Sequence, residues 1–181
     1  MKRRTALQVV TAAIGPGQFA IAQHHLITLA QATESYKPRF FNPEQIELLS
    51  QLSEMIIPAD DHSPGARAAK VAAFIDARLA EAFEDKDKKT WRDGLKLVDD
   101  LSHTSNGKTF MEATPEQRVA VLTTMAQNEK EPKTPEALFF VELKSRVAYA
   151  YYTTEIGIKQ EMEYKGNIYL AEFVGTDVSS S

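Results

Sequence analysis

The sequence predicts an all-α fold, a single compact helical domain of about five helices. Three observations carry that expectation. Four helix starts are written in one chemistry, apolar residues recur at intervals of three and four, and no sustained alternation appears before the tail.

The shared start signal is a capping residue followed by proline: Asn42-Pro43, Ser63-Pro64, Thr114-Pro115 and Thr134-Pro135. Asn, Ser and Thr accept hydrogen bonds from the free amides of a first turn, and the fixed φ of proline suits the first helical position. Two of the four continue as Pro-Glu-Gln, at Pro43-Glu44-Gln45 and Pro115-Glu116-Gln117, which places a Gln to complete a capping box. The first helix then shows Ile46, Leu49, Leu52 and Ile56 until Pro58 stops it. Val71, Ile75, Leu79 and Phe83 form the stripe of the second. Trp91, Leu95, Val98 and Leu101 form that of the third, after a charge-rich connection at Glu84–Lys89. Val119, Leu122 and Ala126 make a shorter fourth.

The fifth helix, expected over Pro135–Glu155, is different. Leu138, Phe139, Phe140, Val141, Leu143, Val147, Tyr149, Tyr151 and Tyr152 leave little polar surface. Glu142, Ser145 and Arg146 lie on one narrow face with Lys144 beside it. A helix this apolar around its circumference is a central core helix, or it presents part of itself to another protein. Beyond it, Asn167–Val174 reads as a short strand or an extended arm.

The chain begins with a different kind of segment. Lys2, Arg3 and Arg4 precede a thin apolar run from Ala6 to Ile14, broken by Gly15-Pro16-Gly17. Even extended to Ala22, the run falls short of the ~20 strongly apolar residues of a spanning helix. Arg3-Arg4 with Leu7 resembles the twin-arginine export signal, which is read by a receptor and is not an anchor. Residues 1–32 are therefore expected to be a leader, cleaved after Ala22 or Ala32 or retained, ahead of a helical domain over 33–181. A disordered basic tail is the plainer alternative.

Composition narrows the function. The chain has 21 Lys+Arg against 25 Asp+Glu; removing Lys2, Arg3 and Arg4 leaves 18 against 25, a net charge of -7. An acidic surface without a long basic run argues against nucleic acid or anionic lipid as the main partner. There are no cysteines, so disulfides, thiolate metal sites, thiol nucleophiles, iron–sulfur clusters and covalent c-type haem are all absent from this chain. About 150 residues bury roughly 70% of their unfolded surface, enough for a core held by packing alone.

Candidate chemistry is sparse. His24 and His25 have no acidic neighbour. Asp60-Asp61-His62 looks like a ligand cluster, but consecutive loop residues do not converge on one ion without ligands from elsewhere, and a solvated turn belongs there. His103 has no visible triad partner. Glu155 with Glu161 or Glu163 reads as exposed helix-end charge. No Gly-x-Gly-x-x-Gly, P-loop, His-Glu-x-x-His or Gly-x-Ser-x-Gly occurs.

Three stretches carry a family resemblance: PRFFNPEQIELLSQLSEMIIPADDHSPGARAAKVAAFID, FFVELKSRVAYAYYTTEIG and EYKGN. Together they resemble the gluconate 2-dehydrogenase subunit 3 family, small subunits of bacterial flavin-dependent sugar and polyol dehydrogenases. The likeness runs from about Tyr36 to Asn167, with a less distinctive middle at Glu84–Lys133. Ala150-Tyr151 and Thr154 stand where Gly-Tyr and Ser are expected, and the absence of cysteine departs from relatives that carry disulfides.

The resemblance implies a non-catalytic subunit with no cofactor or metal of its own. It implies pairing with a large flavoprotein of the glucose-methanol-choline type that holds FAD. It leaves a c-type cytochrome open as a third component, and it places the complex in the periplasm, membrane-associated or free, after passage through the twin-arginine translocase. The contact is expected on Tyr149, Tyr151, Tyr152, Glu155 and the segment 156–164, Ile156 and Tyr164 included, with Tyr36, Phe40 and Phe41 as a second contribution. Phe40 and Phe41 equally suit a hydrophobic staple on the first helix. Two other classes compete: an autonomous periplasmic ligand-binding or regulatory protein, and an enzyme whose carboxylates meet across helices.

Overall fold

Asn42 and Thr114 do what their position predicts. In a computed structural model that describes residues 36–127, 129–164 and 166, the Asn42 side chain accepts the Gln45 amide N–H at 2.7 Å. The Gln45 side chain accepts that of Asn42 at 3.1 Å. Thr114 and Gln117 repeat the exchange at 2.9 and 3.3 Å. These capping boxes open α1 (Pro43–Ile56) and, further on, α5 (Pro115–Met125). Thr134 caps α6 (Pro135–Tyr152) by accepting from the Ala137 amide.

The fourth cap–proline pair behaves differently. After Ser63-Pro64 comes a single turn, α2 (Gly65–Ala68), and then Lys70 adopts a left-handed φ of 56° before α3 (Val71–Glu81) begins. The expected single helix is therefore two, and the Ser63 hydroxyl bonds to the Tyr151 hydroxyl instead of capping. The charge-rich connection at Glu84–Lys89 is also not a connection. It forms the first turn of α4 (Asp85–Asn106), where Asp85 and Asp87 face the positive end of the helix dipole. Lys89 pairs with Asp93 and Lys96 with Asp100 along its exposed side, and Gly107 at φ 70° ends it.

The described residues thus form six α-helices and one π-helical turn (Gly157–Glu161), in place of about five helices. No strand occurs among them. The chain divides into two units after Lys37, and the helices belong to the second, Pro38–Ser181. Arg3, Arg4, Leu7, Ala22, Ala32 and the arm over 167–174 lie outside the described residues.

α6 is the element the others gather on, touching α1, α3, α4 and α5. Its inward residues, Phe139, Leu143, Val147, Ala150 and Tyr151, are buried. Phe139 meets Trp91 of α4 edge to face, ring centres 5.6 Å apart. Leu49 and Leu52 of α1 and Ile75 of α3 complete this core.

Two apolar stripes end short of the sequence expectation. Phe83 is 100% exposed, because Ala82 turns extended (ψ 133°) and takes the next residue out of helical register. Val119 also faces outward, and Val121, Leu122 and Met125 form the buried side of α5. Leu122 of the expected stripe is buried and Val119 is not, so the inward side runs through Val121, Leu122 and Met125.

Candidate partner-binding surface

The distinctive loop between α1 and α3 is a hydrogen-bonded knot. Glu54 accepts the Ala59 amide at 3.0 Å with one oxygen and the Arg67 amide at 2.8 Å with the other. The Asp60 carboxylate accepts from the amides of Ser63 (2.7 Å) and His62 (2.8 Å). Those bonds, Ser63 first, hold its pKa below the usual aspartate value. Gly65 sits at φ +76°, and a Cβ there would lie 2.5 Å from the Ala59 nitrogen. Only glycine suits both conditions.

Asp76, fully buried on α3, organises the chain entry in the same way. Its carboxylate accepts the backbone amides of Arg39 (2.6 Å), Phe40 (3.1 Å) and Phe41 (2.7 Å). Three N–H donors on one carboxylate fix the segment that leads into α1. Phe41 is thereby buried in the core. Phe40 is partly buried with the Arg92 guanidinium 4.3 Å above its ring. The staple side of the sequence reading describes Phe41, and it offers a partner no surface. Tyr36, 40% exposed, stands in the unit before Pro38.

The motif at the end of α6 is a C-terminal cap. Thr153 and Thr154 hydroxyls donate to the carbonyls of Ala150 (2.9 Å) and Tyr151 (2.7 Å), and Thr154 Oγ1 also accepts the Gly157 amide at 3.0 Å. These bonds satisfy carbonyls that a helix end leaves open. They also stop α6 at Tyr152, three residues before the expected Glu155. At Gly157 the turn passes so close that a Cβ would be 2.1 Å from the Tyr151 carbonyl oxygen.

The expected interface residues consequently split. Tyr151 is 0% exposed and Ile156 packs against the core, so both belong to the fold. The reason is register: Tyr151 continues the Phe139–Leu143–Val147 stripe, while Tyr149 and Tyr152, three apart, share the outer face. Tyr149 is 59% exposed, its ring 6.3 Å from that of Phe74, and Tyr152 is 42% exposed. Tyr164 is 52% exposed. Glu155 is exposed and paired with Lys159 at 2.7 Å, a bond that lowers its pKa. Met162, inside the expected segment 156–164, is exposed just after the π-turn, while the exposed Leu138 and Phe83 were not expected at the surface. A charged run directly after Phe83 was the available signal that the apolar stripe had ended.

Several acidic groups of the fold have local partners. A groove of about 730 Å³ between α1 and α4 is rimmed by Glu44, Glu47, Asp99 and Glu112. Glu112 accepts from the amide and hydroxyl of Thr109, which lowers its pKa, and Asp99 accepts the Phe110 amide at 3.0 Å. Among the described residues no group of three His, Asp or Glu could hold a metal ion. No described helix is long and apolar enough to cross a membrane.

Comparison with known proteins gives one match. The family model described as gluconate 2-dehydrogenase subunit 3 covers residues 43–167, from the first residue of α1 to the segment after the π-turn. No curated protein and no solved structure matches. The matched span holds the Glu54–Gly65 knot, Asp76, the core stripe of α6 and its Thr153–Gly157 cap. It extends over well more than half of the chain. The chain belongs to the gluconate 2-dehydrogenase subunit 3 family.

Proposed function

We propose that this chain is a non-catalytic small subunit. It binds and stabilises a large FAD-dependent flavoprotein of the glucose-methanol-choline type and escorts it to the periplasm by twin-arginine export. The observation that carries the reading is membership of a family defined as a subunit of a dehydrogenase. Two further features support it. The distinctive residues of the motifs hold the chain's own backbone, which gives them a structural role. Large aromatic side chains, Tyr149, Tyr152 and Tyr164, remain open to solvent at one end of the central helix, and aromatics are enriched where protein interfaces form.

On this reading the FAD and the substrate site belong to the partner, which oxidises a sugar or polyol, and a c-type cytochrome is left open as a third component. Arg3 and Arg4 serve a cofactor that must be bound before export, since the twin-arginine route carries folded cargo. The test is purification of the tagged full chain from the periplasm of its native host, followed by an absorption spectrum. A stoichiometric large subunit with a flavin spectrum is expected, and an Arg3→Lys, Arg4→Lys variant should leave that complex in the cytoplasm. Recovery of the chain alone, colourless and monomeric, would overturn the proposal and favour an autonomous binding protein.

A further inference from the structure

We propose that His62 is a clasp that holds the C-terminal turn against the Pro58–Ser63 loop and so positions Met162 and Tyr164 for the docking surface. The inference rests on the reading above for what docks there, but its geometry does not. His62 Nε2 lies 3.1 Å from the carbonyl oxygen of Glu161, joining two segments 99 residues apart.

Both sides of the clasp are built. On one side, the Asp60 carboxylate fixes the His62 and Ser63 amides, Asp60 N–H donates to the Ser63 carbonyl at 2.9 Å, and the Ser63 hydroxyl bonds to buried Tyr151. The imidazole is therefore carried by a loop anchored in the core. On the other side, the Met162 amide donates to the Gly157 carbonyl and the Tyr164 amide to that of Ile158, each at 3.0 Å. Held at Glu161, this turn carries two of the large exposed apolar side chains of the domain, Met162 at 56% and Tyr164 at 52%.

The contact is sensitive to protonation. A carbonyl oxygen can only accept, so Nε2 must carry hydrogen; the neutral tautomer donates, and the imidazolium donates more strongly. The charged groups acting on the ring are Asp60 in its own loop and Glu161 and Glu163 on the turn, and all three favour the cation. The Glu161 carbonyl bond comes first among these causes, and together they raise the His62 pKa above its ordinary 6.5. Because the value is raised, the added hold is complete below the ordinary 6.5 and fades as pH rises through the higher folded-state pKa. The fade is graded, because the neutral ring keeps a weaker bond.

Hydrogen exchange of the Met162 and Tyr164 amides in the full chain reads this directly. After correction for intrinsic rates, their protection should fall severalfold between about pH 6 and pH 8. His62→Gln, an uncharged donor, should make it independent of pH, and His62→Ala should lower it throughout. Protection in the native chain that does not vary with pH, or His62→Ala exchange equal to native, would overturn the clasp. Capture of the flavoprotein supplies the second arm. A severalfold loss in His62→Ala supports the positioning role, and unchanged capture overturns it. If the native chain captures no flavoprotein, the subunit reading fails, and the exchange data still decide on the clasp.

Discussion

Tyr151 and Tyr152 are neighbours in sequence whose rings meet edge to face, centres 5.4 Å apart, yet they belong to different parts of the molecule. Tyr151 is sealed in the core with its hydroxyl on Ser63, and Tyr152 looks out with Tyr149. One step along a helix turns a side chain by about 100°, enough to separate a residue that holds the fold from one available to a partner. The same division runs through the whole matched region. Glu54, Asp60, Ser63, Asp76 and Thr154 bind the chain to itself, whereas Tyr149, Tyr152, Met162 and Tyr164 keep much of their side chains exposed. A residue's prominence in a family motif therefore does not mark it as a contact.

The contrast can be broken first on its inner side, where the effects are largest. Asp76→Ala removes the acceptor of three amides at once. It should lower stability by at least about 4 kcal/mol, since each of the three bonds to the carboxylate contributes about 1.5–3 kcal/mol and the amides near the core are left unpaired. Urea unfolding of the purified chain measures this. A loss below about 1 kcal/mol would mean that the entry to α1 is held by other contacts.

Tyr151→Phe is a finer cut. It keeps the ring in the core and deletes only the hydroxyl that meets Ser63. About 1–2 kcal/mol should be lost, mostly from the unsatisfied Ser63 hydroxyl. Thermal unfolding should show a matching fall in midpoint, and partner capture should follow stability with no separate defect. A variant that folds normally but fails to bind would move Tyr151 back into the interface.

The outer side should respond in the opposite manner. Tyr152→Asp removes an edge contact with Tyr151 and puts a negative charge at the C-terminal end of α6, so stability should fall by about 1 kcal/mol, well short of the Asp76→Ala loss. Circular dichroism of the isolated subunit should be unchanged.

Much of this fold was legible because its start signals are local. The exchange between Asn42 and Gln45, or Thr114 and Gln117, involves residues three apart, so the sequence contains the whole interaction. The break at Lys70 was not legible, because its left-handed turn serves the packing of α2 against α1, which is long-range. The first turn of α4 was hidden for another reason. Charged residues there satisfy the helix dipole and each other, so they form helix without an apolar stripe. Ser63 and Asp76 could not be assigned from sequence at all, since their partners lie 88 and 35–37 residues away. Of the proposed contact residues, Tyr149, Tyr152 and Tyr164 are open in the fold. Phe41, Tyr151 and Ile156 are not, because apolar character around a helix does not tell which side the other helices occupy.

Docking on the outer face of α6 is decided by capture of the proposed flavoprotein partner with purified chains carrying Tyr152→Asp or Tyr149→Asp, with the native chain in parallel. Both variants should stay folded, and the flavin absorbance recovered with them should fall at least tenfold, a loss of about 1.4 kcal/mol or more in binding. Recovery equal to native in both variants would show that the flavoprotein does not dock on this face of α6.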